Sequence, residues 1–135
     1  MKTQHDLQAL VAAARVARER AYAPYSHFAV GAAALTAAGQ VFPGCNIENP
    51  AYSVCVCAER VALTSAYAAG VREIVALAVV ADTPGPVSPC GACRQVLFEL
   101  APHCVVVLAN LSGATFETTP AALLPGGFTA DSLPK

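Results

Sequence analysis

Charge is what this sequence is short of. Only 13% of its 135 residues are Asp, Glu, Lys or Arg, the net charge is -1, and no basic run occurs anywhere. Phosphate backbones are gripped by clustered Lys and Arg, so nucleic acid is excluded as a partner and a small molecule is expected. Long apolar spans are missing too. The polar opening, Met1 to Asp6, leads straight into an amphipathic pattern. It has neither the apolar core of a secretory signal nor a run long enough to cross a bilayer. A cytoplasmic chain without a membrane partner is expected. Repeats, linkers and low-complexity tracts are absent apart from abundant alanine, and the length suits one domain, residues 1–135. With 56% hydrophobic residues, so sparse a charge supply leaves apolar faces that are expected to close against other subunits.

What the chain does have is cysteine, at positions 45, 55, 57, 90, 93 and 104. A reducing compartment keeps such thiols free for metal rather than for disulfides. Periodicity places them on elements. Leu7 to Ala21 has helical spacing, broken at Pro24; Phe28 to Leu35 and Val41 to Cys45 read as a hairpin. Residues 46–53 read as a polar loop, and Ala58 to Ala69 as a buried helix stopped by Gly70. Ile74 to Val80 is a continuous apolar run, as in a strand covered on both faces. A helix then opens at Cys90 or Gly91, a strand follows at Cys104 to Leu108, an edge strand at Ala114 to Thr118, and a short helix from Thr119 to Leu124. The order predicts an α/β fold with helices on the faces of a sheet. Its ligands are expected at the carboxyl end of the strands.

Two stretches carry the chemistry: Cys57-Ala58-Glu59-Arg60 and Pro89-Cys90-Gly91-Ala92-Cys93. Each opens a helix, where unpaired N–H groups and the positive end of the helix dipole favour thiolates. Cys57, Cys90 and Cys93 can therefore share one zinc ion. Three protein ligands leave a fourth position for water, which zinc acidifies. Cys55 competes for the first ligand position, but the ligand-x-Glu spacing favours Cys57. Glu59 is then placed to carry protons, a task that suits a buried carboxyl with a raised pKa. Arg60 can offset the excess negative charge of three thiolates. The combination fits the all-cysteine form of the zinc deaminase signature. Cys45, Cys55 and Cys104 read as small buried hydrophobes, and His5, His27 and His103 as structural or surface residues.

Beyond that signature, the chain resembles the small zinc-dependent cytidine deaminases of nucleoside salvage along nearly its whole length. The matching stretches are Ala23-Pro24-Tyr25-Ser26 with Phe28, Val30-Gly31-Ala32, Gly44 to Asn49, Cys57 to Arg60, Thr83 to Gln95, and Leu123 to Gly126 with Phe128. The resemblance implies a three-layer α/β/α sandwich with a five-stranded mixed sheet. It also implies one Zn²⁺ per subunit and a homotetramer with shared active sites. The implied reaction is hydrolysis of cytidine or deoxycytidine to the uracil nucleoside and ammonia. Carried over by position, Asn46 and Glu48 would hold the ribose 3′-hydroxyl, Phe28 would pack near the base, and Tyr52 would lie near the 5′-hydroxyl. The Ala58 N–H would bind the pyrimidine O2 and the Ser88 carbonyl the 4-amino group. Phe128 would reach a neighbouring subunit's site. Pro50 departs from the family, where a small residue is usual. Two other readings stand beside this one: a deaminase of another aminopyrimidine nucleoside, and a non-catalytic structural zinc module, which would need a fourth protein ligand.

Overall fold

A computed structural model describes residues 6–134; His5 lies outside them. The sheet is built from strands whose side chains alternate between two buried faces. In β1 (Val30–Thr36), Ala32 and Ala34 face one way and Ala33 the other. In β3 (Ile74–Ala81), Leu77 and Val79 share the first face while Ala76, Ala78 and Val80 share the second. β4 (Val105–Asn110) repeats this with Val106 and Leu108 against Val107 and Ala109. A strand period of two puts apolar residues on both faces only when both are covered. Here α1 (Leu7–Arg18) covers one face through Leu10 and Ala14. On the other lie α2 (Ala58–Ala68), through Ala58, Ala62, Leu63 and Ala66, and α3 (Gly91–Leu100), through Leu97.

With β2 (Val41–Cys45) and β5 (Thr115–Thr118) at the edges, the strand order is β2-β1-β3-β4-β5. Only β3 and β4 run parallel, and α3 connects them. The expected three-layer sandwich with a five-stranded mixed sheet is what forms. A short α4 (Pro120–Leu123) follows β5, capped by the Thr119 hydroxyl.

Register explains why one end of the sheet gathers the functional stretches. Val30, at the start of β1, pairs with Ala81 at the end of β3. Gly31 pairs with Cys45 at the end of β2, and Ala81 with Asn110 at the end of β4. The carboxyl ends of three strands therefore meet the amino end of the antiparallel one. Small residues allow the helices to sit close. A Cβ on Gly31 would collide with the Ala14 carbonyl of α1, and one on Gly44 with the Ala58 carbonyl and Ala62 amide of α2.

Three details differ from the sequence reading. The first helix stops at Arg18, short of Ala21, because Tyr22 leaves to form a bridge with Ile47. Residues 46–48 are not an unpaired loop: Ile47 also bridges Val56, through a pair of backbone hydrogen bonds of 2.9 and 3.0 Å. Of the three cysteines expected to be buried, Cys104 is, but Cys45 and Cys55 are half-buried.

Candidate metal centre and active site

The strand ends deliver α2 and α3 by their N-termini, and a cysteine occupies each N-cap, Cys57 and Cys90. One helical turn into α3, Cys93 points to the same spot and is fully buried. The three Sγ atoms lie within 4.8 Å of one another. Cys57 and Cys90 are 3.7 Å apart, and Cys90 and Cys93 3.4 Å. Thiolates at about 2.3 Å from a tetrahedral zinc stand about 3.8 Å from each other, so the spacing suits one such ion. All six cysteines are free thiols. Cys55 stands outside the cluster. Its Sγ accepts from the Asn49 amide at 3.3 Å and donates to the Asn49 carbonyl at 3.4 Å. Among the described residues the cluster has three donors and no fourth, which is an open site and not a closed structural one.

Electrostatics agree with the fit. The Cys93 thiol donates to Cys57, and with help from Arg60 and Cys90 this pulls the Cys57 pKa down to about 5 against its burial. The same contact, with burial and the Glu59 charge, pushes Cys93 up. Three thiols so close do not all ionise on their own, since like charges oppose one another. A divalent cation among them removes that opposition. Arg60 supplies part of the charge: its guanidinium donates to Cys57 Sγ at 3.7 Å and to the Cys55 carbonyl at 3.3 Å. Its Nε–H is buried with no partner among the described residues, a donor left over where thiolate charge accumulates.

Glu59, in the first turn of α2, is 5% exposed. Burial, then the Cys57 charge, raises its pKa, so it can hold a proton in a range where ordinary carboxylates have lost theirs. The Ala58 amide opens the same helix, at the end where N–H groups lack helical partners.

Beside the cluster lies a second group of residues. Asn46 Oδ1 accepts from the Val30 amide at 2.9 Å, and its Nδ2 donates to the Phe28 carbonyl at 2.7 Å. Glu48 Oε1 accepts from the Tyr25 and Ser26 amides at 3.0 and 3.1 Å, and Oε2 from the Ser26 hydroxyl. The Ser26 hydroxyl and both amides hold the Glu48 carboxyl below the usual range. Glu48 and Tyr52 line one open hollow of about 270 Å³ with Tyr25, Ser26, Asn49 and Cys55. Phe28 is exposed and follows His27, whose φ is 59°. Ser88 sits two residues before Cys90, and its hydroxyl accepts from Arg94 at 2.6 Å. Of the residues expected at the site, Phe128 lies along a different groove, 57% exposed, with Gln95, Thr64 and Leu133.

Two positions of consequence escaped the sequence reading. Asn110, 1% exposed at the end of β4, donates to the Thr83 and Pro84 carbonyls and accepts from the Ser112 and Ala114 amides. It fixes the start of the loop that ends at Cys90. Arg94 fixes the other end. A polar residue closing a buried apolar strand was the available signal for Asn110.

Residues 4–109 match the model for the cytidine and deoxycytidylate deaminase zinc-binding region. The chain belongs to the cytidine and deoxycytidylate deaminase family. It is 56% identical over 129 residues to the cytidine deaminase of Sporosarcina psychrophila, covering 95% of each chain. It is 55% identical over 129 residues to that of Halalkalibacterium halodurans, covering 95% of this chain and 98% of the relative. Among solved structures, the cytidine deaminase of Burkholderia pseudomallei superposes with a TM-score of 0.89 at 55% identity. That match covers 93% of this chain and all of the other. The family's zinc-binding region spans all three clustered cysteines, so the metal of this site is zinc.

Proposed function

We propose that this chain, as one domain, hydrolyses cytidine and deoxycytidine to uridine and deoxyuridine with release of ammonia. The observation that carries the reading is a buried carboxyl with a raised pKa, Glu59, beside a three-thiol site with no fourth protein donor. Cys57, Cys90 and Cys93 would hold one Zn²⁺ per subunit. Bound there, zinc acts as a Lewis acid that lowers the pKa of water.

The chain's own residues do the rest. The Glu59 carboxylate takes a proton from the attacking water and delivers it to ring N3 as the water oxygen bonds to C4. It then takes the second proton to the 4-amino nitrogen, the C4–N bond breaks, and ammonia leaves. A carboxyl with a raised pKa suits both directions of transfer. The Ala58 N–H would hold O2, and the Ser88 carbonyl would accept from the amino group. Arg60 would keep three thiolates from lowering the ion's acidity. Asn46 and Glu48, already fixed by the Phe28–Val30 and Tyr25–Ser26 backbones, would present remaining hydrogen-bonding capacity to the ribose. Phe28 would lie against the base and Tyr52 near the 5′-hydroxyl. Cytidine deaminases that are 55–56% identical to the chain favour this substrate over another aminopyrimidine nucleoside.

Assembly as a homotetramer fits the surface. Tyr22, Tyr25, Phe28, Ile47, Tyr52 and Val54 are all exposed on residues 22–54, an apolar area that a second subunit would cover. Phe128 would then enter a neighbour's site. Thiols that must stay reduced suit the cytoplasm. Glu59→Gln tests the proton-carrying role. It should keep zinc and assembly and lose cytidine turnover, read by ultraviolet absorbance, by several orders of magnitude. Full activity in that variant would end the assignment.

A further inference from the structure

Arg94 follows directly on Cys93, and its guanidinium meets three acceptors from two distant parts of the chain. Nε donates to the Pro89 carbonyl at 2.9 Å, Nη2 to the Ser88 hydroxyl at 2.6 Å, and Nη1 to the Leu123 carbonyl at 2.7 Å. The first two acceptors flank the Ser88 carbonyl and lead into Cys90. The third closes α4, 29 residues further on. The next side chain, Gln95, donates to the Phe128 carbonyl at 3.0 Å. Two consecutive residues of α3 thus fasten the carboxyl-terminal segment at Leu123 and Phe128, and one of them also fastens the Ser88–Cys90 loop.

Pro89 is buried, but among the described residues Ser88 and Pro89, at the end of that loop, have no other hydrogen bonds to hold them. Asn110 and the Val87 amide, which donates to the Ala109 carbonyl at 3.3 Å, hold its beginning. Past Val87 the backbone turns through Pro89, which has no N–H to contribute. Only a planar fork with donors on several nitrogens can satisfy three acceptors spread in this way, and a lysine ammonium does not reproduce it.

We propose that Arg94 is a positioning residue for the reaction. It ties the Ser88–Cys90 loop to the carboxyl-terminal segment, so that the Cys90 thiol and Ser88 carbonyl keep their places only while Leu123 is docked. This rests on the reading of Cys90 as a metal ligand and of the Ser88 carbonyl as the acceptor for the substrate amine. The carboxyl-terminal segment is thereby part of the metal site's support, although none of its residues is a ligand.

The test uses Co²⁺ titrated into metal-stripped full-length protein, whose thiolate absorption and ligand-field bands report the cluster without turnover. In Arg94→Lys, Co²⁺ affinity should fall at least tenfold and the bands should shift, with cytidine kcat falling at least tenfold on the zinc-loaded enzyme. Arg15→Lys is the control: it loses a comparable bond, to the Leu111 carbonyl at 3.0 Å, and should match wild type within twofold. A folded Arg94→Lys with wild-type affinity and spectrum overturns the proposal, whatever its turnover. Should Arg94→Lys fail to fold, Ser88→Ala carries the test. It should shift the bands in the same direction by a smaller amount, and an unchanged spectrum refutes the role. Wild-type protein inactive on cytidine, with the Arg94 effect on Co²⁺ intact, leaves the positioning role standing and removes the substrate reading instead.

Discussion

Gly44→Ala isolates the link between packing and the metal site. Gly44 lies in β2 and pairs with Ala32 of β1. A methyl group there meets the Ala58 carbonyl oxygen and, at 2.5 Å, the Ala62 amide nitrogen. Both are backbone atoms of α2, so no side chain can rotate away. Reaching ordinary contact requires the helix to retreat by about 1 Å. Forced overpacking costs about 1–3 kcal/mol and sometimes more, while replacing glycine within a strand returns about 0.5–1 kcal/mol. The net expectation is a loss of about 1 kcal/mol. With a urea m-value of about 2 kcal/mol/M, that lowers the unfolding midpoint by about 0.5 M. Metal-stripped protein at fixed protomer concentration is the sample, because association and metal both add apparent stability. The same retreat carries Cys57, the N-cap of α2, away from Cys90 and Cys93, so Co²⁺ affinity should fall about tenfold. Gly39→Ala is the contrast. At φ 91° with nothing within 4 Å of its Cβ, it should cost about 1 kcal/mol of backbone strain and leave Co²⁺ binding alone. A Gly44→Ala protein with an unchanged midpoint and unchanged Co²⁺ affinity would show that α2 is not held against β2 in the way argued.

Two further outcomes are expected. Asn110→Ala removes two donors and two acceptors from a buried junction and should cost about 3 kcal/mol in the same urea assay. Asn110→Asp, which keeps the acceptor but turns a buried carboxylate oxygen onto the Thr83 and Pro84 carbonyls, should cost at least as much, and a smaller loss than that of Asn110→Ala would refute the donor role. Glu48 gives a pH dependence. Because its folded pKa is depressed, mainly by the Ser26 hydroxyl, the order it gives the Tyr25–Ser26 turn is complete above the ordinary value of 4.5. That order is lost as pH falls through the lower folded value. Amide resonances of Tyr25 and Ser26 should titrate together below pH 4.5; a midpoint at or above it contradicts the contact.

The sequence made the sheet legible wherever local pattern decides structure. Ile74–Ala81 reads as a doubly covered strand because its apolar run has no polar side to expose, and Gly70 reads as a helix stop because it takes a left-handed φ of 85°. The thiol cluster is legible for the same reason: two ligands lie one helical turn apart, and the third belongs to a motif of fixed spacing. What stayed hidden are contacts whose acceptors are backbone carbonyls far along the chain. Nothing about Arg94 in sequence points to Leu123, and nothing about Asn110 points to Thr83, because a carbonyl has no residue identity. The early end of α1 is of this kind as well. The spacing through Ala21 permits helix, but Arg18 Nε donates to the Ala29 carbonyl at 3.1 Å and the Tyr22 amide to the Asn46 carbonyl at 2.9 Å. Tertiary hydrogen bonds outweigh a weak local preference there.

The same contrast explains how the polar loop before Cys57 can be both ordered and available. The Asn46 side chain makes two hydrogen bonds and that of Glu48 three to the Tyr25–Val30 stretch, so their orientation is settled in the folded chain. Lost side-chain freedom is a cost of binding that such residues have already met in folding. An amide nitrogen with a second N–H and a carboxylate with spare lone pairs still have capacity for a hydroxyl. Exposure of Tyr25 and Tyr52, which line the hollow with Glu48, leaves its apolar part open to solvent in a single chain. Closing that hollow would take apolar surface from elsewhere, and in the proposed assembly Phe128, exposed and held at its carbonyl by Gln95, would supply it from a neighbour.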